Sequence, residues 1–232
     1  MQIKISSKVV GDNCPVFIVA ELSANHVQDF EIAVRTVHVA KEAGADAIKL
    51  QTYKPDSITI DADNDFFRLQ KGSLHYGKTL YQVYQEAYTP WEWQPKLKKI
   101  AEDLGLICFS SPFDFAAVDF LEAMNVPAYK VASLEITDIP LLEYVASKGK
   151  PIILSSGIAT LSDIEEAISV CEKAGNGQLS ILKCTSAYPT PFTEMNLRAI
   201  PYLSEKFGVI IGLSDHTLGI SAAIAAVTLG AK

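Results

Sequence analysis

Val209-Ile-Ile-Gly-Leu-Ser-Asp-His-Thr217 is an apolar run that ends abruptly in a hydroxyl, a carboxylate and an imidazole. A short apolar run bounded by turn-prone polar residues predicts a strand covered on both faces. In barrels of parallel strands the chemistry gathers at the strand C-terminal ends, which makes Ser214 and His216 candidate site residues. Period-2 alternation points these two to one side and Asp215 to the other. The other strands decide whether this ending is an isolated feature.

Working outward, the same punctuation recurs along the chain. Residues 16–21 close on Glu21, and residues 47–52 carry Lys49 and Gln51. Residues 106–111 end in Ser110 and Ser111, and residues 128–133 hold Lys130 and Ser133. Residues 151–157 end in Ser155-Ser156-Gly157, and residues 179–185 carry Lys183 and Thr185, with Ser186 next. Between these runs, apolar residues at helical spacing predict helices over 30–43, 78–87, 91–104, 115–124, 140–147, 162–174, 197–207 and 219–229. Thr89-Pro90 is predicted to open one helix, and Ser162 with Glu165 to cap another. Residues 53–79 form a long polar loop without a period.

Seven successive strand-then-helix units predict right-handed parallel crossovers. A doubly wound sheet would gather its ligand groups at one switch point, whereas here nearly every strand ends in polar residues. The expected fold is therefore an α/β, (β/α)8 TIM barrel. One strand is missing from the count, so residues 1–232 are expected to be a barrel domain truncated before its eighth strand.

With 232 residues, 49% apolar and 20% charged, the chain suits one large globular domain. Twenty Lys and Arg against 27 Asp and Glu give a net charge of -7, which argues against a nucleic-acid or anionic-membrane surface. No 18-residue apolar run and no signal-peptide pattern is seen, so a cytoplasmic location is expected. Cys14, Cys108, Cys171 and Cys184 are too scattered for a CxxC metal site and are expected to be reduced and structural.

Lys49, Lys130 and Lys183 lie inside otherwise apolar strands, where an ammonium needs an anion. Ser111, Ser133, Ser155 and Ser214 can donate without adding bulk, so the cluster suits a phosphate or carboxylate. The plainer alternative is an ion pair with Glu21 or Glu135, or a lysine stem that snorkels outward. Glu21 and Glu135 also suit acid/base work or sugar hydroxyls. His216 is either a satisfied core histidine or a ligand or acid/base group at a strand end. His26 is a further candidate for the same mouth. Tyr188, in Tyr188-Pro-Thr-Pro191, is either a positioned hydroxyl or a structural corner.

Seven collinear motifs then carry a resemblance: Ala20-Glu-Leu-Ser-Ala-Asn-His26, Ile48-Lys-Leu-Gln-Thr52, Phe109-Ser-Ser-Pro-Phe113, Tyr129-Lys-Val-Ala-Ser-Leu-Glu135, Leu154-Ser-Ser-Gly157, Lys183-Cys-Thr-Ser-Ala-Tyr-Pro189 and Gly212-Leu-Ser-Asp-His-Thr217. Over essentially the whole chain they resemble the sialic acid synthase family. The first and sixth motifs, with Gln51-Thr-Tyr-Lys-Pro-Asp-Ser57, look like its pseudaminic branch.

The resemblance implies a transferase that condenses phosphoenolpyruvate with an open-chain 2,4-diacetamido-2,4,6-trideoxy hexose, releasing phosphate. Sialic or legionaminic acid synthesis is the alternative within the family. Outside it stand a Schiff-base aldolase using Lys130 or Lys183 and a non-catalytic sugar-binding barrel. Carried over by motif, Lys49, Ser111, Lys130, Ser133, Ser155, Ser186 and Ser214 would hold phosphoenolpyruvate, with Lys130 also a catalytic candidate and Phe113 lining the substrate. Glu21, Gln51 and Tyr188 would hold the sugar, Glu21 also being a catalytic candidate, and Glu135 would manage protons or water. His216 would be one of two histidine ligands of a divalent metal, Mn2+ with Mg2+ or Co2+ as alternatives. The resemblance also implies a homodimer completed by a C-terminal antifreeze-like domain that these residues do not include.

Overall fold

The computed structural model describes residues 1–73 and 75–232 and divides into two compact units, residues 18–126 and residues 1–17 with 127–232. The chain begins with a feature absent from the predicted elements, an antiparallel hairpin of β1 (Gln2–Ile5) and β2 (Lys8–Gly11). Ile3, Ile5 and Val10 are buried on one face. Gly11 has φ +138°, and Met1 O occupies the space a Cβ would need, so only glycine fits at the end of β2 opposite Gln2.

In the unit of residues 18–126, β3 (Val19–Glu21), β4 (Ala47–Thr52) and β5 (Ile107–Pro112) run parallel in that order. Helix α1 (Phe30–Glu42) is capped by Asp29, whose carboxylate accepts from the Glu31 and Ile32 amides. After it come α2 (Pro55–Ile58), α3 (Leu80–Ala87), α4 (Gln94–Asp103) and α5 (Phe115–Ala123). Ile48, Leu50 and Cys108 pack against Ala33, Val37 and Ala40 of α1 and Leu97 and Ala101 of α4. Alternation then turns Lys49, Gln51, Phe109 and Ser111 to the opposite face. The loop predicted without structure contains α2 and an isolated bridge between Arg68 and Thr79.

The other unit repeats the pattern with β6 (Tyr129–Val131), α6 (Ile139–Ala146), β7 (Ile152–Ser155), α7 (Leu161–Lys173), β8 (Leu179–Cys184), α8 (Ala199–Phe207), β9 (Ile210–Ser214) and α9 (Ser221–Thr228). Its four strands are parallel neighbours in chain order. Register fixes one face completely: Lys130 opposes Ile153, Ser155 opposes Leu182, and Cys184 opposes Ser214. Lys130, Ser155, Cys184 and Ser214 therefore share that face, and Lys183 lies on the other. After α9 the chain turns back, and the Lys232 amide donates to Ile211 O at 3.0 Å beside β9.

Two predicted caps are corrected. Helix α7 is capped by Thr160 with Asp163 as its box partner, two residues earlier than Ser162 and Glu165. Thr89 does not cap its helix; its hydroxyl lies 3.1 Å from His26 Nε2. His26 itself is fully buried, accepts the Gln28 amide at Nδ1 and packs edge-on against Trp93. It is thus a fixed core histidine rather than a group at the mouth of a site.

Burial holds the His26 imidazole below its ordinary value, so its neutral form stabilises the fold. That contribution is full above about pH 6.5, the unfolded value, and is lost as pH falls through the lower folded value. His26→Gln is accordingly expected to lose less melting temperature than the native chain between pH 7.5 and pH 5. An unchanged difference would place the acid sensitivity elsewhere.

Candidate active site

The site residues fall into one group on each unit. On residues 18–126, Lys49 is 9% exposed and forms an ion pair with Glu21. The plainer reading of Lys49 therefore holds as well, since its charge has a local carboxylate. Gln51 stands two residues further along the same face. Ser111 follows on β5 with its hydroxyl buried and without a hydrogen-bond partner among the described residues. Phe113, just past that strand, packs edge-on against Tyr53 at 5.4 Å, and Tyr53 meets Tyr84 at 5.9 Å. This aromatic row forms a rigid apolar flank beside the strand ends.

The second group is denser. Lys130, on β6, is 9% exposed, and burial pulls its ammonium down to about 8 against the opposing pull of Cys184 and Glu135. Glu135 sits in the 3-10 turn that follows (Glu135–Thr137). Burial raises its carboxyl above the usual range, and Lys130 only partly offsets this. Among the described residues, Glu135 Oε2 and Ser155 Oγ are buried with no hydrogen-bond partner. Buried donors and acceptors are normally satisfied, so two such groups, one on the strand face of a buried lysine and one in the turn that follows its strand, mark a place built for a polar ligand.

His216 follows β9 and is held on three sides. Its Nδ1 lies 3.1 Å from Thr185 O, its Nε2 lies 3.4 Å from Ser214 Oγ, and the Tyr188 ring stacks on it with centroids 4.2 Å apart. The carbonyl can only accept, so Nδ1 carries the proton and Nε2 presents its lone pair to the site. Thr190 ties down the same loop, donating its amide to His216 O at 2.8 Å. Tyr188 is 72% exposed, and its ring flanks the imidazole.

Two residues change places relative to expectation. Lys183, grouped by sequence with Lys49 and Lys130, faces away from Lys130 and spends its ammonium on Cys184 O at 2.8 Å and Thr185 Oγ1 at 2.9 Å. Cys184, expected to be merely structural, lies on the site face. Burial pushes its thiol up, but the influence of the neighbouring His216, Ser133 and Ser214 outweighs this and leaves it below the ordinary value. Cys184 in turn raises His216. The other three cysteines are free as expected, with Cys108 and Cys171 buried. The signal that would have found Cys184 was the parity of its strand.

Parallel strand-helix units with lysines, serines and carboxylates on the strand C-terminal ends define a class of α/β proteins that present ligand groups at one end of their strands. The chain belongs to the NeuB family, which matches residues 36–232. It is 49% identical over 218 residues to the pseudaminic acid synthase of Helicobacter pylori, covering 94% of this chain and 64% of that protein. It is 36% identical over 225 residues to the N,N'-diacetyllegionaminic acid synthase of Legionella pneumophila, covering 95% of this chain and 63% of that one. The chain thus spans less than two thirds of the length of these curated relatives. Among solved structures, the N-acetylneuraminic acid synthetase of Leptospira borgpetersenii, in complex with citrate, superposes over 100% of this chain and 75% of its own with TM-score 0.88 and 32% identity. No helix among the described residues is long and apolar enough to cross a membrane.

Proposed function

We propose that this chain handles phosphoenolpyruvate and an open-chain 2,4-diacetamido-2,4,6-trideoxy hexose in the formation of pseudaminic acid and phosphate. The observation that carries the reading is that the buried Lys130 shares its strand face with Ser155, whose hydroxyl has no hydrogen-bond partner among the described residues, and interacts with Glu135, whose Oε2 has none. A phosphate or carboxylate supplies the charge that Lys130 needs and acceptors for the surrounding hydroxyls. Glu135, whose carboxyl burial raises above the usual range, keeps a proton more readily than a free carboxylate, which suits it to proton transfer. The higher identity to the pseudaminic relative than to the legionaminic one, 49% against 36%, favours the trideoxy hexose over the alternatives. A (β/α)8 barrel truncated before its eighth strand is the finer fold reading in the same proposal, supported by the likeness to the Leptospira structure.

Carried over by motif, Ser133, Ser155, Ser186 and Ser214 join Lys130 in holding the anion, with Lys49 and Ser111 in the same role on their own unit. Glu21, Gln51 and Tyr188 serve the sugar. His216 Nε2 would hold a divalent ion, Mn2+ with Mg2+ or Co2+ as alternatives, whose charge polarises the sugar aldehyde. The tautomer set by Thr185 O fits that role. Among the described residues, however, no three His, Cys, Asp or Glu side chains are grouped to hold an ion.

The test is phosphate release from phosphoenolpyruvate with the diacetamido trideoxy hexose or with N-acetylmannosamine. Release with the first sugar alone is expected. Release only with the second would move the reading to sialic acid, and release independent of sugar would end it. The low value of Lys130 also favours a second reading, an amine nucleophile forming a Schiff base. Borohydride would then trap substrate covalently on Lys130, and absence of trapping removes that reading.

A further inference from the structure

Ten of the thirteen glycines have positive φ, a backbone conformation that by itself favours glycine. Gly157 is not one of the ten. It ends the run Ser155-Ser156-Gly157 after β7, and its surroundings show a different requirement. A Cβ built there would collide with Ser186 Oγ and stand 2.8 Å from Ser133 Oγ and 3.1 Å from Cys184 Sγ. Side chains following β6, ending β8 and in the loop after β8 thus rest against one bare Cα. Glycine is needed here for space.

Its amide adds direction. Gly157 N–H donates to Ser133 Oγ at 3.1 Å. A hydroxyl that accepts from an amide keeps its own proton to donate elsewhere, and accepting a hydrogen bond strengthens it as a donor. Ser133 is thereby committed to donating, the role an anion demands.

We propose that Gly157 is a positioning residue: its amide and bare Cα orient the Ser133 and Ser186 hydroxyls toward the anionic substrate. This rests on the reading of the Lys130 cluster as a phosphoenolpyruvate site. The atoms that a methyl would meet are serine and cysteine tips, which can rotate. Gly157→Ala should therefore fold while turning these groups away from their working directions.

The experiment is a calorimetric titration of phosphoenolpyruvate, with inorganic phosphate in parallel, into the chain and its Gly157→Ala, Ser133→Ala and doubly substituted forms. Gly157→Ala is expected to weaken phosphoenolpyruvate binding by about fivefold or more with the melting temperature little changed. The double form is expected to bind no more weakly than the worse single form, because both changes remove the same interaction. Wild-type affinity in Gly157→Ala, or losses that multiply in full, would overturn the proposal while leaving the phosphoenolpyruvate reading intact. A native chain that binds neither anion would end both. Should Gly157→Ala not fold, the amide proton resonance of Gly157 is the second measurement. It is expected to move upfield in Ser133→Ala as its acceptor is lost, and an unmoved resonance refutes the positioning role.

Discussion

Replacing Lys130 by methionine is expected to weaken phosphoenolpyruvate binding by about a hundredfold or more and at the same time to raise the melting temperature. The two effects share one cause. Burial lowers the Lys130 ammonium from 10.5 to about 8, so the folded chain holds this charge less readily than the unfolded chain does. A shift of that size corresponds to a stability penalty on the order of 3 kcal/mol at neutral pH, which an apolar side chain of similar length would relieve. The anion reverses the balance, since its charge compensates the buried ammonium, and methionine offers it nothing.

The pH dependence separates this account from a simple loss of packing. Between about pH 8 and 10.5 the unfolded chain keeps a proton that the folded chain has released, so the stability of the native chain rises with pH through that window. Over the same window anion binding falls, by up to about tenfold per pH unit, because the free chain must first regain the proton. Lys130→Met should show neither slope. Stability and binding that move together with pH would mean that Lys130 is not the group responsible.

The strand-helix alternation was legible from the sequence because each strand is a short apolar run and each helix repeats at its own period. The strand-end location of Lys49, Lys130, Ser155 and His216 was legible for the same reason. Facing was harder to read. In Leu179-Ser-Ile-Leu-Lys-Cys184, Ser180 and Lys183 sit at opposite parity, so alternation alone cannot choose the phase. Only pairing with Ser155 and Ser214 fixes it, placing Cys184 inward and Lys183 outward. His26 misled for a related reason: its motif lies just beyond a strand end, but the chain there turns into the core. The β1-β2 hairpin was not legible because four-residue strands with two buried side chains give too short a signal.

The second large effect is expected from a residue that carries no chemistry. Gln94→Leu should lower stability by about 2–4 kcal/mol, or about 5–10 °C in melting temperature for a chain of this size. Gln94 is fully buried at the start of α4 and satisfies three partners. Its Oε1 accepts from Thr52 Oγ1 at 2.7 Å, and its Nε2 donates to Gln51 O at 3.2 Å and Thr89 O at 3.4 Å. Thr52 in turn meets Ser110 Oγ at 2.7 Å, and Thr89 meets His26. Ser110, a polar strand end by sequence, is therefore part of this internal network on the helix side, while Ser111 faces the site. Leucine would fill about the same volume but remove the donor to two main-chain carbonyls, those of Gln51 and Thr89, the latter buried. If the chain were held there by apolar packing alone, Gln94→Leu would be neutral or stabilising. Thr52→Val, which removes one hydroxyl from the same network, should destabilise by less, and combined with Gln94→Leu it should add little, because the bond between the two side chains can be lost only once.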